Sequence, residues 1–440
     1  MTDARLLNRV SYGAVTRVIG HEVQIRGLRL AVGDALEVSA PGGLRTAEVI
    51  SVDEHGAHAL LLAETTGIAS GARVRRAPVG ARVPVGNALL GRVINALGEP
   101  IDGGPPIQLP TVSVHNTPPP ALSRRRVDTP LPVGVRVLDV LCTAGAGQRI
   151  GIFAGSGVGK STLLGMMVRG TTAPVRVVAM IGERGREVRE FVEDELGPEG
   201  LAQSVVVVAT SDEPPLLRLR AGFTATRIAE WFADAGNDVL LTLDSLTRLA
   251  HAQRDVGLAA GEPPTARGYT PSVFALLPRL LERAGPRANG SITAFYTVLV
   301  DGDDMNDPIA DAARSILDGH VVLDRSIAER NHWPAVDALK SLSRLASKLH
   351  TPEQAAIAAR LRAGMAAAAE VRDLVEVGAY VAGTNSAADE GLALAAGTSE
   401  LLQQTPHDLT PYDEAWSRAS AVTAPLASDA GPGQVTNYGA

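Results

Sequence analysis

The alternation of hydrophobic and polar residues near the start of the chain predicts short β-strands. Between about Ser11 and Val83, runs such as VTRVIG, EVQIRGLRL and AEVISV alternate and are interrupted by glycine and aspartate. Closely spaced short strands with such interruptions are typical of a small β-barrel. We therefore predict that residues 1–88 form an N-terminal barrel domain with a short N-terminal helical segment.

A different pattern begins after Gly147. The runs RIGIFAG, VRVVAMIG, SVVVVAT, DVLLTLD and SITAFYTV are apolar throughout, and stretches with helical spacing separate them. Continuous apolar strands that alternate with helices indicate a parallel sheet covered on both faces. We predict an α/β core over residues 89–350. It includes a proline-rich extended connector from Gly103 to Pro132, in which Ser123–Arg126 (SRRR) is interpreted as a solvated charged run.

The last part of the chain is rich in alanine and leucine at helical spacing. From about Thr351 it reads EQAAIAARLRAGMAAAAEVRDLVEVG, which predicts a C-terminal helical domain over residues 351–440.

Composition and charge narrow the class of protein. Hydrophobic residues make up 45% and charged residues 20% of the chain, as in ordinary globular proteins. The net charge of −7 argues against nucleic acid as a partner. Cys142 is the single cysteine, which excludes a disulfide framework. Because the N-terminus does not resemble a signal peptide and no apolar run reaches about 18 residues, we expect a cytoplasmic protein.

A phosphate-binding loop joins a predicted strand to a predicted helix. The strand Arg149–Ala154 runs into AGSGVGKST, and the helical LLGMMVRG follows. Glycines allow backbone N–H groups to surround a phosphate, and the helix directs its positive end toward it. Lys160 is expected to reach the β- and γ-phosphates of ATP, and the Ser161 hydroxyl to ligate Mg²⁺. The predicted nucleotide contacts are Gly155, Ser156, Gly157, Val158, Gly159, Lys160, Ser161 and Thr162.

Two acidic residues complete a predicted hydrolase. Asp244 ends the apolar run DVLLTLD, where an aspartate can hold Mg²⁺ or, alternatively, cap the next helix. Glu183 follows the strand Val175–Ile181 and so faces the crevice at the carboxyl edge of the sheet, where it can polarise the attacking water. Glu187 is expected on the next helix, paired with an arginine.

Long segments around these residues resemble the type III export ATPases, relatives of the rotary ATP synthase catalytic subunit. They are GIFAGSGVGKSTLLGMM, IGERGREVREFVEDELG, SVVVVATSDEPPLLRLRA, LDSLTRLAHAQRDVGLAAGEPPTARGYTPSVF and GDDMNDPIADAARSILDGHVVL. The resemblance extends from the barrel to about Leu409. It implies an α/β fold with a RecA-like P-loop core and a parallel sheet, flanked by the barrel and the helical domain. It also implies a homohexamer whose active sites lie between subunits.

The resemblance assigns roles to individual positions. Glu183 matches the catalytic glutamate, Arg184 the arginine beside it and Asp244 the Walker B aspartate. Arg248, in DSLTR, matches an arginine near the γ-phosphate. Arg344, in SLSR, matches the arginine finger that one subunit gives to its neighbour's nucleotide, where a guanidinium stabilises the charge of phosphoryl transfer.

Two further expectations come from the resemblance. Trp333, in HWPAVD, matches an aromatic position beside adenine, although a buried core tryptophan is the alternative. Ala4–Val10 has the spacing of a short amphipathic helix, at the place where the family binds a regulatory stator protein. The other implied partners are export substrates, their chaperones and the membrane export gate. The protein is then peripheral at the inner face of the cytoplasmic membrane.

The predicted function is ATP hydrolysis that drives protein export through a flagellar type III apparatus. Injectisome export is the alternative, and DDMNDPIADAARSILDGH favours the flagellar system. The segment GEPPTARGYTPSVFALLPRLLERAG disfavours a rotary synthase subunit. Glu183 argues against a non-catalytic ring subunit, which has glutamine in that place. The acidic balance argues against a ring RNA helicase.

Overall fold

The computed structural model describes residues 11–300 and 307–424. The predicted stator-binding segment, Ala4–Val10, lies outside the described residues, as do residues 301–306 of the DDMNDP region. The helices and strands found in the described parts follow the three predicted regions in order. None of the helices in these parts combines the length and the apolar character needed to cross a bilayer.

The N-terminal region is a closed antiparallel barrel, as predicted. Its strands are β1 (Gly13–Ile19), β2 (Glu22–Arg26), β3 (Ala35–Ala40), β4 (Gly43–Asp53), β5 (Gly56–Leu61) and β6 (Arg73–Arg76). They pair in the order β1-β2-β5-β4-β3-β6, and β6 returns to β1. Alternate residues such as Val23, Ile25, Leu36 and Val38 fill the interior. The alternating sequence pattern thus buries one side of each strand.

The core is built on a mostly parallel sheet. After the ribbon of β7 (Arg82–Pro84) and β9 (Thr111–Ser113), its strands are β8 (Arg92–Asn95), β10 (Arg149–Ala154), β11 (Val175–Glu183), β12 (Ser204–Thr210), β13 (Asp238–Asp244), β14 (Gly285–Pro286), β15 (Ser291–Leu299), β16 (Gly319–Val322) and β17 (Leu342–Ser343). The order is β17-β16-β10-β15-β13-β11-β12-β8. The two short strands are antiparallel to their neighbours, β14 to β15 and β17 to β16. Parallel strands end at one edge, so the chain segments after β10, β11 and β13 meet there.

Helices cover both faces of this sheet. They are α1 (Arg136–Leu141), α2 (Lys160–Gly170), α3 (Gly185–Glu190), α4 (Gly197–Ala202), α5 (Pro215–Asp234), α6 (Leu246–Ala259), α7 (Pro271–Leu281), α8 (Pro308–Ile316), α9 (Arg325–Glu329) and α10 (Ala346–Leu349). One apolar core lies under α5, α6 and α7, and the other lies under α1 and α2.

The C-terminal region is helical, as predicted, and packs onto the second of these cores. Its helices are α11 (Pro352–Glu370), α12 (Arg372–Glu376), α13 (Ser386–Leu402) and α14 (Tyr412–Thr423). Leu361, Leu401 and Trp416 share a buried cluster with Met167 of α2. The helical region is therefore continuous with the face of the core that carries the phosphate loop.

The arginine run in the connector is exposed at Arg125 and Arg126, as predicted, but Arg124 is partly buried, which corrects the interpretation of SRRR at that residue. Arg124 donates to the carbonyl oxygens of Glu282 and Ala284, at 2.5 and 3.0 Å, and its side chain is only 16% exposed. Arg125 donates to the carbonyl oxygens of Arg287 and Gly290. These two arginines fasten the extended connector to the core through backbone carbonyl groups that follow α7.

Candidate active site

The phosphate loop connects β10 to α2, as predicted. Gly157 and Gly159 have φ angles of 78° and 83°, in the left-handed region that favours glycine. A Cβ atom on Gly159 would also lie 2.7 Å from Cζ3 of Trp333. Both the backbone conformation and the close approach of an indole ring therefore require glycine at this position.

Lys160 joins two acidic side chains at the carboxyl edge of the sheet. Its Nζ forms an ion pair with Asp244 at the end of β13, and lies 3.4 Å from Oε1 of Glu183 at the end of β11. Thr297 of β15 donates a 2.6 Å hydrogen bond to Asp244 Oδ1. Asp244 and Glu183 are only 3% and 4% exposed. Four neighbouring strands thus bring one partly buried cation and two buried acids together.

Asp244 does not cap the helix that follows it. The capping oxygen is Ser245 Oγ, which accepts from the backbone N–H of Arg248 at 3.2 Å. The alternative structural role for Asp244 is therefore excluded, and its carboxylate is directed into the site.

Of the two predicted neighbouring arginines, only Arg248 belongs to this cluster. Its Nη1 donates to the carbonyl oxygen of Gly182 and lies 3.0 Å from Glu183 Oε2. The side chain of Arg184 is 75% exposed and lies 3.8 Å from Glu187, which is the arginine pairing expected of Glu187. The structure therefore places Arg184 outside the buried cluster.

The environment of Glu183 weakens its acidity. Burial, followed by a hydrogen bond with Glu187, raises the pKa of Glu183 to about 7, against the opposing effect of Lys160. The same hydrogen bond lowers the pKa of Glu187. A carboxyl group with a pKa near neutrality is well matched to accept a proton from water.

A cavity of about 980 Å³ opens beside the phosphate loop. Trp333 lines it and is half-buried, with its Nε1 donating to Asn331 Oδ1 at 3.1 Å. The tryptophan therefore forms part of a pocket wall and is not a core residue. A further part of the wall comes from the loop between α13 and α14, residues 403–408, which sequence reasoning missed because no motif marks it. Its lining residues are Gln403, Gln404, Thr405, Pro406 and Asp408.

Arg344 lies at the other end of the parallel strands. Its backbone N–H donates to the carbonyl oxygen of Asp318. The backbone N–H of Asp318 donates in turn to the carbonyl oxygen of Arg149, the first residue of β10. The phosphate loop follows the last residue of β10, about 16 Å away along the strand. The Arg344 side chain is exposed and donates to the carbonyl oxygen of Arg314. It is not brought together with the other predicted site residues of the same chain.

Comparisons with known proteins agree on the family. Residues 134–343 match the model of the ATP synthase alpha/beta family, nucleotide-binding domain, and residues 350–419 match the T3SS EscN ATPase C-terminal domain. A flagellum-specific ATP synthase from Bacillus subtilis is 48% identical over 94% of this chain and 95% of its own length. A type 3 secretion system ATPase from Xanthomonas euvesicatoria is also 48% identical, over 94% of each chain.

A solved structure resembles the whole described fold. The assembled ATPase EscN from the type III secretion system of enteropathogenic E. coli superposes with a TM-score of 0.89 at 44% identity. The match covers 94% of this chain and 100% of EscN. The predicted fold class, with barrel, parallel-sheet core and helical end, is therefore confirmed. The chain belongs to the ATP synthase alpha/beta family of P-loop ATPases, in the group that contains the flagellum-specific ATP synthases and the type III secretion system ATPases.

Proposed function

We propose that this ATPase powers protein export through a type III apparatus, and specifically the flagellar one. The observation that supports hydrolysis is the convergence of Lys160, Glu183 and Asp244 beside the phosphate loop. Relatives from flagella and from type 3 secretion systems match equally well, at 48% identity. The flagellar assignment therefore depends on the sequence DDMNDPIADAARSILDGH.

The nucleotide lies with its phosphates on the N–H groups of residues 155–162 and its adenine against Trp333. Lys160 supplies positive charge to the phosphates. The site fits Mg²⁺, because the Ser161 hydroxyl and the Asp244 carboxylate are hard oxygen ligands and this ion needs few protein ligands beside phosphate and water. Bound there, Mg²⁺ supplies charge neutralisation on the phosphate oxygens.

Glu183 acts as the base that orients and polarises the attacking water. Its buried carboxyl, with a pKa of about 7, is half ionised near neutral pH. Arg248 holds that carboxyl from one side at 3.0 Å. Arg184 is exposed and keeps the role that the family resemblance gives it, as the arginine beside the catalytic glutamate.

Arg344 completes the site of a neighbouring copy. Because it lies at the opposite end of β10 from its own phosphate loop, it can serve a nucleotide only across a head-to-tail contact. Contacts of that kind generate closed rings when the rotation closes. We propose a homohexamer, and EscN, whose structure is described as assembled, is consistent with this arrangement.

The remaining partners belong to the same proposal. EscN has also been solved in complex with its central stalk EscO, with a TM-score of 0.87 to this chain. We propose that this protein likewise binds a stalk protein, a stator protein through its N-terminal segment, export substrates with their chaperones, and the membrane export gate. It would do so from the cytoplasmic side of the membrane.

The test is specific ATPase activity across a protein dilution series with Mg²⁺. We expect activity per molecule to rise with concentration and to fall at least about 100-fold in Glu183→Gln and Arg344→Ala. Arg279→Ala, at an exposed arginine of α7, is the matched control and keeps wild-type activity. Wild-type activity near zero at every concentration would contradict a self-sufficient motor.

The flagellar assignment has a separate test. Expression in a bacterium that lacks its flagellar export ATPase is expected to restore swimming in soft agar, and Glu183→Gln is not. Rescue of effector secretion in an injectisome ATPase mutant, without rescue of swimming, would assign the protein to the injectisome.

A further inference from the structure

Part of the pocket wall beside Trp333 comes from residues 403–410, which connect α13 to α14. Residues 403–406 and 408 of this segment line the pocket, together with Gly157, Gly159 and Thr162. A loop on its own has many conformations of similar free energy, and ordering it opposes binding. Something in the fold must therefore hold this segment in place before a nucleotide arrives.

One buried arginine makes more of the hydrogen bonds that hold this segment than any other residue outside it. Arg136 begins α1 and is 3% exposed. Its Nε donates to the carbonyl oxygen of Leu401 at 2.6 Å, and its Nη2 donates to that of Gln403 at 2.5 Å. Its Nη1 donates to Asp408 Oδ2 at 2.8 Å and to Thr410 Oγ1 at 2.7 Å. Four guanidinium hydrogen bonds thus reach both ends of the loop.

The backbone around Arg136 adds to the same attachment. Its own N–H donates to Gln404 Oε1 at 2.9 Å, and Gln404 Nε2 donates to the carbonyl oxygen of Gly134 at 2.8 Å. The N–H of Gln404 donates to the carbonyl oxygen of Trp333 at 2.7 Å. The loop, the tryptophan and the start of α1 are therefore linked by a short series of buried hydrogen bonds.

We propose that Arg136 is a positioning residue for nucleotide binding, which fixes residues 403–410 as the adenine-side wall of the pocket. The proposal rests on the proposed function in that ATP occupies this cavity. Arg136 does not contact Glu183, Asp244 or Lys160, so it acts on nucleotide affinity and not on the chemical step. A planar guanidinium suits the task, because it offers diverging donors that a lysine ammonium cannot reproduce.

The first measurement is hydrogen exchange of residues 403–410 in the nucleotide-free protein. In Arg136→Met we expect the amide of Gln404 and its neighbours to exchange at least about tenfold faster, since local opening becomes easier. Arg136→Lys restores part of the protection because it keeps the charge and one or two donors.

The second measurement is affinity for ADP, with a fluorescent analogue as probe. If the ordered loop falls to about a tenth of the population, the apparent Kd rises about tenfold. KM for ATP rises by a similar factor while kcat stays within about twofold, the signature of lost uniform binding.

A second variant guards against loss of folding. Thr410→Val removes one acceptor of Arg136 at a residue that does not line the pocket. We expect it to raise the amide exchange rate and the Kd for ADP by less than Arg136→Met does. Arg176→Met is the matched control. Arg176 is a buried arginine of the same domain, 8% exposed, and it donates to the carbonyl oxygen of Thr171 and not to this loop.

Unchanged exchange and unchanged ADP affinity in Arg136→Met would overturn the proposal. So would a matching loss of affinity in Arg176→Met, because the effect would then be a general loosening of the core. Absence of ATP hydrolysis in the wild type would contradict the proposed function alone, since exchange and ADP binding still report on the loop.

Discussion

At the scale of single residues, Glu183 and Glu187 form the pair that sets how the site responds to pH. Glu183 ends β11 in a buried position, and Glu187 lies in the first turn of α3, where it is partly exposed. The pKa of Glu183 is raised to about 7 by burial and by its bond to Glu187. Since the base must be ionised to accept a proton, activity is limited by protonation on the acidic side.

We predict that kcat/KM for ATP rises with pH and levels off above about 7, and that Glu187→Ala shifts the midpoint to lower pH. The direction follows because the bond to Glu187 raises the pKa of Glu183, so its removal lets Glu183 ionise earlier. Protonation of ATP itself affects both proteins equally.

The control is Glu190→Ala on the same helix, which pairs with Arg186 and leaves the midpoint unchanged. A Glu187→Ala profile that coincides with the wild-type profile would show that another group limits the rate.

Residues with a local signature could be predicted from the sequence, and residues with distant partners could not. Lys160 is identified by the loop that contains it, and Asp244 by the strand that it ends. Arg136 has no such signal, because its partners Leu401 and Thr410 follow 265 and 274 positions later. Arg124 was misread for the same reason, since its acceptors are 158 and 160 positions away.

At the scale of elements, the continuous apolar runs of the sequence predict the central strands well. The observed β10 and β13 have the predicted bounds, and β11 continues two residues beyond the predicted Ile181 to include Glu183. The two-residue strands β14 and β17 were not predicted, because two residues carry no periodicity. The domain boundaries at 88 and 350 stay predictions.

A buried ion pair joins α5, the segment that follows α7, and the connector. Arg283 donates to both carboxylate oxygens of Glu230, at 2.8 and 2.9 Å, and to the carbonyl oxygen of Val114 at 3.3 Å. Asn116 donates to the same carboxylate. Burial by itself would raise the pKa of Glu230, but the bond to Arg283 and the other donors outweigh it, and the pKa is lowered.

We predict that Arg283→Met lowers the free energy of unfolding by up to about 3 kcal/mol at pH 7, because Glu230 loses its main partner and keeps only the weaker pairs with Arg227 and Arg287. A lowered pKa means that Glu230 stabilises the fold above its ordinary value of 4.5 and that this contribution is lost as pH falls. The deficit of the variant should therefore shrink toward pH 4, as measured by denaturant unfolding.

The comparison is Arg279→Met, at an exposed arginine of α7, which should stay within about 0.5 kcal/mol of the wild type. A deficit for Arg283→Met that is the same at both pH values would show that lost packing, and not the ion pair, causes the effect.

At the scale of the whole molecule, the two ends of β10 serve different active sites in the proposed ring. The phosphate loop at the carboxyl end binds a nucleotide for its own chain. Arg344, beside the amino end, is presented to the next chain. A substitution that inactivates the site at one end of β10 should therefore leave the other end able to serve its own site.

We predict that mixing Glu183→Gln with Arg344→Ala restores activity that neither variant has alone. A site works when its own chain keeps Glu183 and the neighbour keeps Arg344, so random equal mixing in a head-to-tail ring restores about a quarter of the sites. The mixture is dissociated by dilution, reassembled by concentration and assayed for phosphate release. No recovery in rings of normal size would place Arg344 within its own chain's site.

The attachment of residues 403–410 to Arg136 and Trp333 also has a consequence during synthesis of the protein. A nascent chain that has emerged as far as α13 already contains the phosphate loop, the acids and the tryptophan. It lacks the last wall of the pocket, which is made some 240 codons after Lys160. Tight nucleotide binding is thus expected only after residues 403–410 have been made, although Lys160, Glu183 and Asp244 are made long before them.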